Sequence, residues 1–148
     1  MNYIKSLDDG LYLEHLNKLI SWKTNQEELL NKLQNYQFST IENSICNYCG
    51  ISINSRFLDS EEQATITFNF VKSVLKSVNV SFPFFEKDVV QSFESTQHFL
   101  EDKLGSPMSF NLFNSKRKKF RWKLKKVIIT HEMFESFSLR ETLEITII

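Results

Sequence analysis

Ala64-Thr65-Ile66-Thr67-Phe68-Asn69-Phe70 alternates without a break between apolar residues and short polar ones. A period of two belongs to a strand that pleats Ala64, Ile66, Phe68 and Phe70 to one face and Thr65, Thr67 and Asn69 to the other. A parallel sheet covered on both faces would read apolar throughout, so the stretch predicts an antiparallel sheet with one wet face. Toward the C-terminus, Val78, Val80 and Phe82 repeat the pattern against Ser77, Asn79 and Ser81. Toward the N-terminus, across the acidic turn Asp59-Ser60-Glu61-Glu62, Ile51, Ile53 and Phe57 do the same, so strands are expected from Ile41 to Val80.

Outward from these strands the period lengthens. Leu11, Tyr12, Leu13, Leu16, Leu19 and Ile20 suit a short amphipathic helix after Asp8-Asp9-Gly10. A helix over 25–36 buries Leu29, Leu30 and Leu33, with Thr24 and Glu27 spaced for a capping box. A further helix over 85–104 carries the stripe Val89, Phe93, Gln97, Leu100 and Leu104, has Glu86 and Asp88 in its first turn, and stops at Gly105 and Pro107. Residues 106–116 then read as a loop anchored by Phe110 and Phe113, followed by strands over 118–124, 127–132 and 141–147. The expected class is α+β: an antiparallel sheet of about six strands with helices packed on one face, in outline two αβββ units. The chain reads as a single domain over 1–148, divisible into halves 1–82 and 83–148, without a residue-level repeat.

Composition narrows the function classes. Eighteen basic and eighteen acidic residues among 148 give no net charge, which excludes a uniformly basic nucleic-acid coat and an acidic solvating tail. Fourteen Phe against three Gly and two Pro describe a well-filled core with little chain for Gly-rich phosphate loops. Met1 to Gly10 has no apolar run of signal-peptide length, and no window reaches about 18 uninterrupted apolar residues, so the protein is expected to be cytosolic, with no membrane partner. The neutral total is an average over two regions: residues 1–104 hold 9 basic and 14 acidic side chains, net −5, and 105–148 hold 9 and 4, net +5. Such polarity steers association with a charged partner.

Cys46-Asn47-Tyr48-Cys49 has the spacing of half a thiolate zinc site, but the other half is missing and His15, His98 and His131 are scattered, so no metal or cofactor is expected. Lys116, Arg117, Lys118, Lys119, Arg121, Lys123, Lys125 and Lys126 place eight positive charges within eleven residues. On a strand, Phe120, Trp122 and Leu124 face the core while Lys119, Arg121, Lys123 and Lys125 form a ladder on the other face. That ladder can pair with acids across the sheet such as Glu144, meet an acidic protein partner, or hold a phosphate backbone. His131-Glu132 is an acid/base pair on paper, but neighbours on a strand face opposite sides, and no H-E-x-x-H or G-x-S-x-G motif occurs, so no enzymatic activity is expected. Trp22 and Trp122 are expected to pack in or near the core. In Phe82-Pro83-Phe84-Phe85 the three aromatics cannot all turn inward, which makes an exposed Phe84 or Phe85 a candidate anchor for a partner.

Leu19-Ile20-Ser21-Trp22, the strands from Ile66 to Val80, Leu104-Gly105-Ser106-Pro107, then Trp122, Ile128, His131 and Glu141-Thr142-Leu143-Glu144-Ile145 together resemble the small bacterial immunity proteins of polymorphic-toxin, contact-dependent inhibition and type VI secretion systems. These fall in many unrelated families without shared functional residues. The resemblance implies a cytosolic antitoxin that binds one cognate toxin domain and occludes its active site by contact. The residues expected to meet that partner are Thr65, Thr67, Asn69, Asn79, Phe84, Lys119, Arg121 and Lys123, with Ser77 beside them on the wet face. The alternative is a small nucleic-acid-binding protein using the 116–126 strand. Whether the strand over 141–147 is an edge that pairs with a second copy into a homodimer is left open.

Overall fold

The computed structural model describes residues 7–86, 88–114 and 116–148. Positions 1–6 of the stretch Met1 to Gly10, position 87 in the expected helix over 85–104 and position 115 in the expected loop lie outside the described residues. In chain order the elements are β1 (Gly10–Leu13), a 3-10 turn (Glu14–Leu16), β2 (Lys18–Ser21), α1 (Gln26–Leu33), β3 (Ser39–Asn43), β4 (Tyr48–Arg56), β5 (Gln63–Val71) and β6 (Val74–Ser81). A second 3-10 turn (Pro83–Glu86), α2 (Val89–Leu104), β7 (Ser109–Asn114), β8 (Arg117–Lys123), β9 (Val127–Ser136) and β10 (Ser138–Ile147) follow.

The stretch around Phe68 becomes β5, with Ala64, Ile66, Phe68 and Phe70 all buried. It lies inside an eight-stranded sheet of order β3-β4-β5-β6-β10-β9-β8-β7, every neighbouring pair antiparallel. Each half of the chain is therefore a four-strand meander, and the halves join through their last strands, Val78 opposite Ile145 and Val80 opposite Leu143. The fold is α+β as expected, but the six strands become eight in the main sheet plus a two-stranded hairpin, and the αβββ outline becomes αββββ.

The two unexpected strands of the main sheet, β3 and β7, are its edges. All of their residues are exposed, so neither buries a face and neither carries an alternation to read. Phe110 and Phe113, expected as buried loop anchors, are instead exposed at 60% and 55% on β7. The strand over 141–147, raised as an edge for dimer pairing, is β10 at the centre of the sheet, held by β6 and β9, so that route to a homodimer is closed.

The expected helix over 11–20 is the β1–β2 hairpin, with Leu11 opposite Ile20 and Leu13 opposite Lys18. Its buried residues, Leu11, Leu13, Leu16 and Ile20, fit a helical stripe as well as they fit two short strands around a 3-10 turn. Gly10 permits the hairpin's close strand approach: a Cβ there would stand 2.2 Å from the Ile20 carbonyl oxygen. The capping box of α1 forms one residue later than Thr24 and Glu27 suggest, with Glu28 N–H donating to Asn25 Oδ1 at 2.9 Å and Asn25 N–H to Glu28 Oε2 at 3.3 Å. The helix then spans Gln26–Leu33, shorter than 25–36. α2 stops at Leu104 before Gly105 as expected, but begins at Val89 and not at 85: Glu86 falls in the preceding 3-10 turn, and Asp88 is the N-cap, its side chain accepting from Gln91 N–H at 3.1 Å, so neither acid lies in the first turn.

One face of the sheet is covered by α1, α2 and the hairpin. Leu29, Leu33, Leu100, Leu104, Leu13 and Ile20 pack there against Ile51, Phe68, Val78, Ile129, Leu143 and Ile145, and this core runs unbroken across both halves. Both tryptophans are buried with their indole N–H bonded, Trp22 to the Leu7 carbonyl at 2.7 Å and Trp122 to that of Gly105 at 2.9 Å. Among the described residues no helix is long and apolar enough to cross a membrane.

Candidate functional site

Among the described residues no element covers the other face of the sheet, which is open. Strand register places the expected partner-binding residues on it in transverse rows. Thr67 on β5 stands opposite Asn79 on β6, Asn79 opposite Glu144 on β10, Glu144 opposite Thr130 on β9, and Thr130 opposite Arg121 on β8. Thr67 and Arg121 thus share one row four strand spacings apart, about 19 Å. A protein interface of ordinary size, about 800 Å² per partner, spans both ends.

At the β4–β6 end the row is an ordered hydrogen-bond network. Gly50 has no side chain, so Tyr48 lies across it, 2.5 Å from where a Cβ would be, and its hydroxyl donates to Asn69 Oδ1 at 2.7 Å. Asn69 Nδ2 donates to Asn79 Oδ1 at 2.6 Å and to Ser77 Oγ at 3.2 Å. Ser52 and Thr67 share a bond at 2.8 Å, and Thr65 donates to Asn54 Oδ1 at 3.1 Å. With their oxygens engaged, Asn54 and Asn79 direct amide N–H groups to solvent. Fixing these side chains before contact lowers the ordering cost of binding.

At the β8 end stand Lys119, Arg121 and Lys123. Lys119 pairs with Glu132, its direct cross-strand neighbour, at 3.9 Å. The expected acid, Glu144, is a strand too far and instead accepts a bond from Thr146 at 3.4 Å. Arg121 and Lys123 are exposed and form no ion pair among the described residues. Elsewhere in the basic run Lys116 pairs with Glu135 at 3.6 Å, Lys126 with Asp9 at 3.2 Å, and Arg117 lies 4.5 Å from the centre of the Phe113 ring. Phe84 is not brought to this face. It is half-buried beside α2, stacked on Phe82 at 5.2 Å, and Phe85 is buried.

Sequence reasoning missed a second polar constellation, on the covered face. His131 is buried, stacked on Phe93 at 4.1 Å, with Nε2 2.5 Å from Glu141 Oε2 and Nδ1 2.8 Å from the Gln97 side-chain oxygen. Ser92 donates its hydroxyl to Glu141 Oε1. Burial pushes the His131 pKa below the usual imidazole range, and the bond and charge of Glu141 offset part of that shift. A neutral ring has one N–H, which Glu141 takes at Nε2; Nδ1 then accepts, and keeps its bond if the Gln97 amide turns its NH2 inward, which also employs the otherwise unpartnered Gln97 Nε2. The order Ser92–Glu141–His131–Gln97 puts the carboxylate between hydroxyl and imidazole, so His131 does not take the serine proton, and the cluster is sealed from solvent. Inward parity was the available signal: Gln97 interrupts the apolar stripe of α2, as His131 and Glu141 interrupt β9 and β10. His131 and Glu132 do face opposite sides.

The thiols are separate in environment. Cys46 is exposed in the β3–β4 turn, while Cys49 is buried on β4, where burial and then the Glu42 charge raise its pKa. His15 bonds Ser55 at 3.0 Å, far from both the exposed His98 and His131 in sequence and setting, and no group of three or more metal-ligating side chains forms among the described residues. No protein-family model, curated protein or solved structure matches the chain.

Proposed function

We propose that the protein is an inhibitory binding module: a cytosolic immunity protein that holds one cognate bacterial toxin domain against its open sheet face and occludes the toxin's active site. The observation that carries this reading is the open face itself, where an ordered amide and hydroxyl network sits in the same rows as the unpaired cations Arg121 and Lys123. Outward amide donors and cations favour a partner surface rich in carboxylates and carbonyls. The sealed position of the His131–Glu141–Ser92 cluster supports a structural role for those groups and, with it, a protein that acts by contact. The resemblance in sequence points the same way.

Less supports nucleic acid as the partner. Three of the eight cations in 116–126 already hold carboxylates, and Trp122, the aromatic most suited to stacking on a base, is in the core. Co-expression with the product of the adjacent upstream gene tests the proposal. The two chains are expected to co-purify, and the protein to protect cells from its neighbour. A chain that neither binds nor protects rules the proposal out, and salt-steep affinity for DNA or RNA would replace it with the second reading.

A further inference from the structure

Among the described residues the main sheet has two unpaired edges, and they differ in chemistry. β3 carries Glu42 near its middle, a charge of the kind that blunts an edge, whereas β7 holds neither charge nor proline. β7 pairs with β8, and no described strand takes its outer side. A bulge between Leu112 and Asn114 ends the regular ladder, so the open edge runs over 109–112. Register sets Phe110 beside Phe120 and Leu112 beside Lys118 on the helix side, and Ser109 beside Arg121 and Asn111 beside Lys119 on the open face.

The helix side of this edge is apolar and already ordered. Met108, Phe110 and Leu112 are exposed at 70%, 60% and 58%. The Phe110 ring stacks on that of Phe120 at 6.1 Å, and Phe120 in turn lies 5.9 Å from Phe93 of α2. A further strand would bury this row and pair the open ladder. Charge decides whose strand it is. The β7 of a second copy would bring two β8 strands, with five cations each, to three strand spacings, about 14 Å, where they repel. The β3 of a second copy fits no better, since its Glu42 lies opposite the buried Cys49 on the helix side and would face the apolar row. An acidic strand meets the opposite field. Arg121 has no ion pair among the described residues, and the small Ser109 leaves it room to reach a carboxylate on an added strand, two spacings or about 10 Å away.

We propose that β7 accepts an added strand from a protein partner: an extended segment in which apolar side chains alternate with carboxylates, the apolar ones on Phe110 and Leu112 and the carboxylates toward Arg121. The edge does not rest on the open-face reading, and its probes need no toxin. NMR titration of the full chain with an acetylated, amidated heptapeptide alternating valine and glutamate is expected to give saturable amide shifts centred on β7 and β8 and slowed amide exchange in β7. The expected dissociation constant is about 1 mM or below. The same peptide with lysine in place of glutamate should bind at least about tenfold more weakly. With proline in place of valine the peptide keeps its charge but loses ladder donors, and it should leave β7 unshifted.

Leu112→Thr, which keeps strand propensity while removing apolar surface, should weaken binding about fivefold, and Arg121→Glu about tenfold, each with the rest of the spectrum unchanged. Should Leu112→Thr loosen β7, Met108→Ser, just outside the strand, serves as a second variant and should also weaken binding. Equal binding of the lysine peptide, equal shifts from the proline peptide, shifts centred away from β7, or affinity unchanged in the Leu112, Met108 and Arg121 variants overturn the proposal. So does sedimentation that shows the chain alone dimerising under the same conditions, with Phe110→Ser restoring the monomer, because a second copy then holds the edge. Either failure leaves the open-face reading standing.

Discussion

His131 shows how one buried polar residue fixes its surroundings. Its ring is held by Phe93, Glu141 and Gln97, from α2 and β10, so it ties the helix to the middle of the sheet. Removing one member strands the others: His131→Leu leaves the Glu141 carboxylate buried without its partner and is expected to cost about 3–5 kcal/mol in urea unfolding. Adding Glu141→Met should recover most of that loss, because an apolar pair of similar volume requires no desolvation of charge. The same residue sets a pH dependence. The unfolded imidazole takes up its proton near pH 6.5, whereas the folded one, held down by burial, does so only at lower pH. Stability from this group is therefore full above about pH 6.5 and falls by about 1.4 kcal/mol per pH unit below it, until the folded pKa is reached. Denaturant midpoints at stepped pH check the sign: a stability that rises on mild acidification would contradict it. On the open face, Tyr48→Phe removes the bond to Asn69 and should cost about 1 kcal/mol.

At the scale of elements, what is legible in the sequence depends on burial. β5, β6, β8 and β10 turn one face inward and the other outward, so their inward residues follow from alternation alone, and the stripe of α2 follows from its 3.6 period from Phe93 to Leu104. β3 and β7 expose every residue, and the β1–β2 hairpin is too short for period two to separate from period 3.6. The open-face residues follow from the same alternation, whereas the polar core cluster does not, because three elements must meet before Gln97, His131 and Glu141 become neighbours. This contrast sets two expectations. Phe68→Ala in the buried strand should destabilise by about 3–5 kcal/mol. Phe110→Ser on the exposed edge should change stability by less than about 0.5 kcal/mol while reducing any concentration-dependent association through β7, as measured by sedimentation.

Across the whole molecule the sheet order carries the basic run of the sequence to one side of the sheet. β8, next to the edge, carries Arg117, Lys118, Lys119, Arg121 and Lys123, whereas β3–β6 carry only Glu42, Arg56 and Lys76, so the acidic excess of the first 104 residues lies outside the strands of the sheet. The open face carries amide donors toward the β4–β6 side and cations toward the β8 side. A partner approaching this face is steered by the field, and its association rate is expected to fall with ionic strength while its dissociation rate changes little. The most direct test is the affinity of the proposed toxin partner, the product of the adjacent upstream gene, for a variant combining Asn69→Ala, Asn79→Ala, Arg121→Glu and Lys123→Glu, measured by calorimetry against the unaltered chain. A folded variant with affinity reduced by about a hundredfold or more is predicted, and a folded variant that binds the toxin with undiminished affinity would contradict the open face as the site of inhibition.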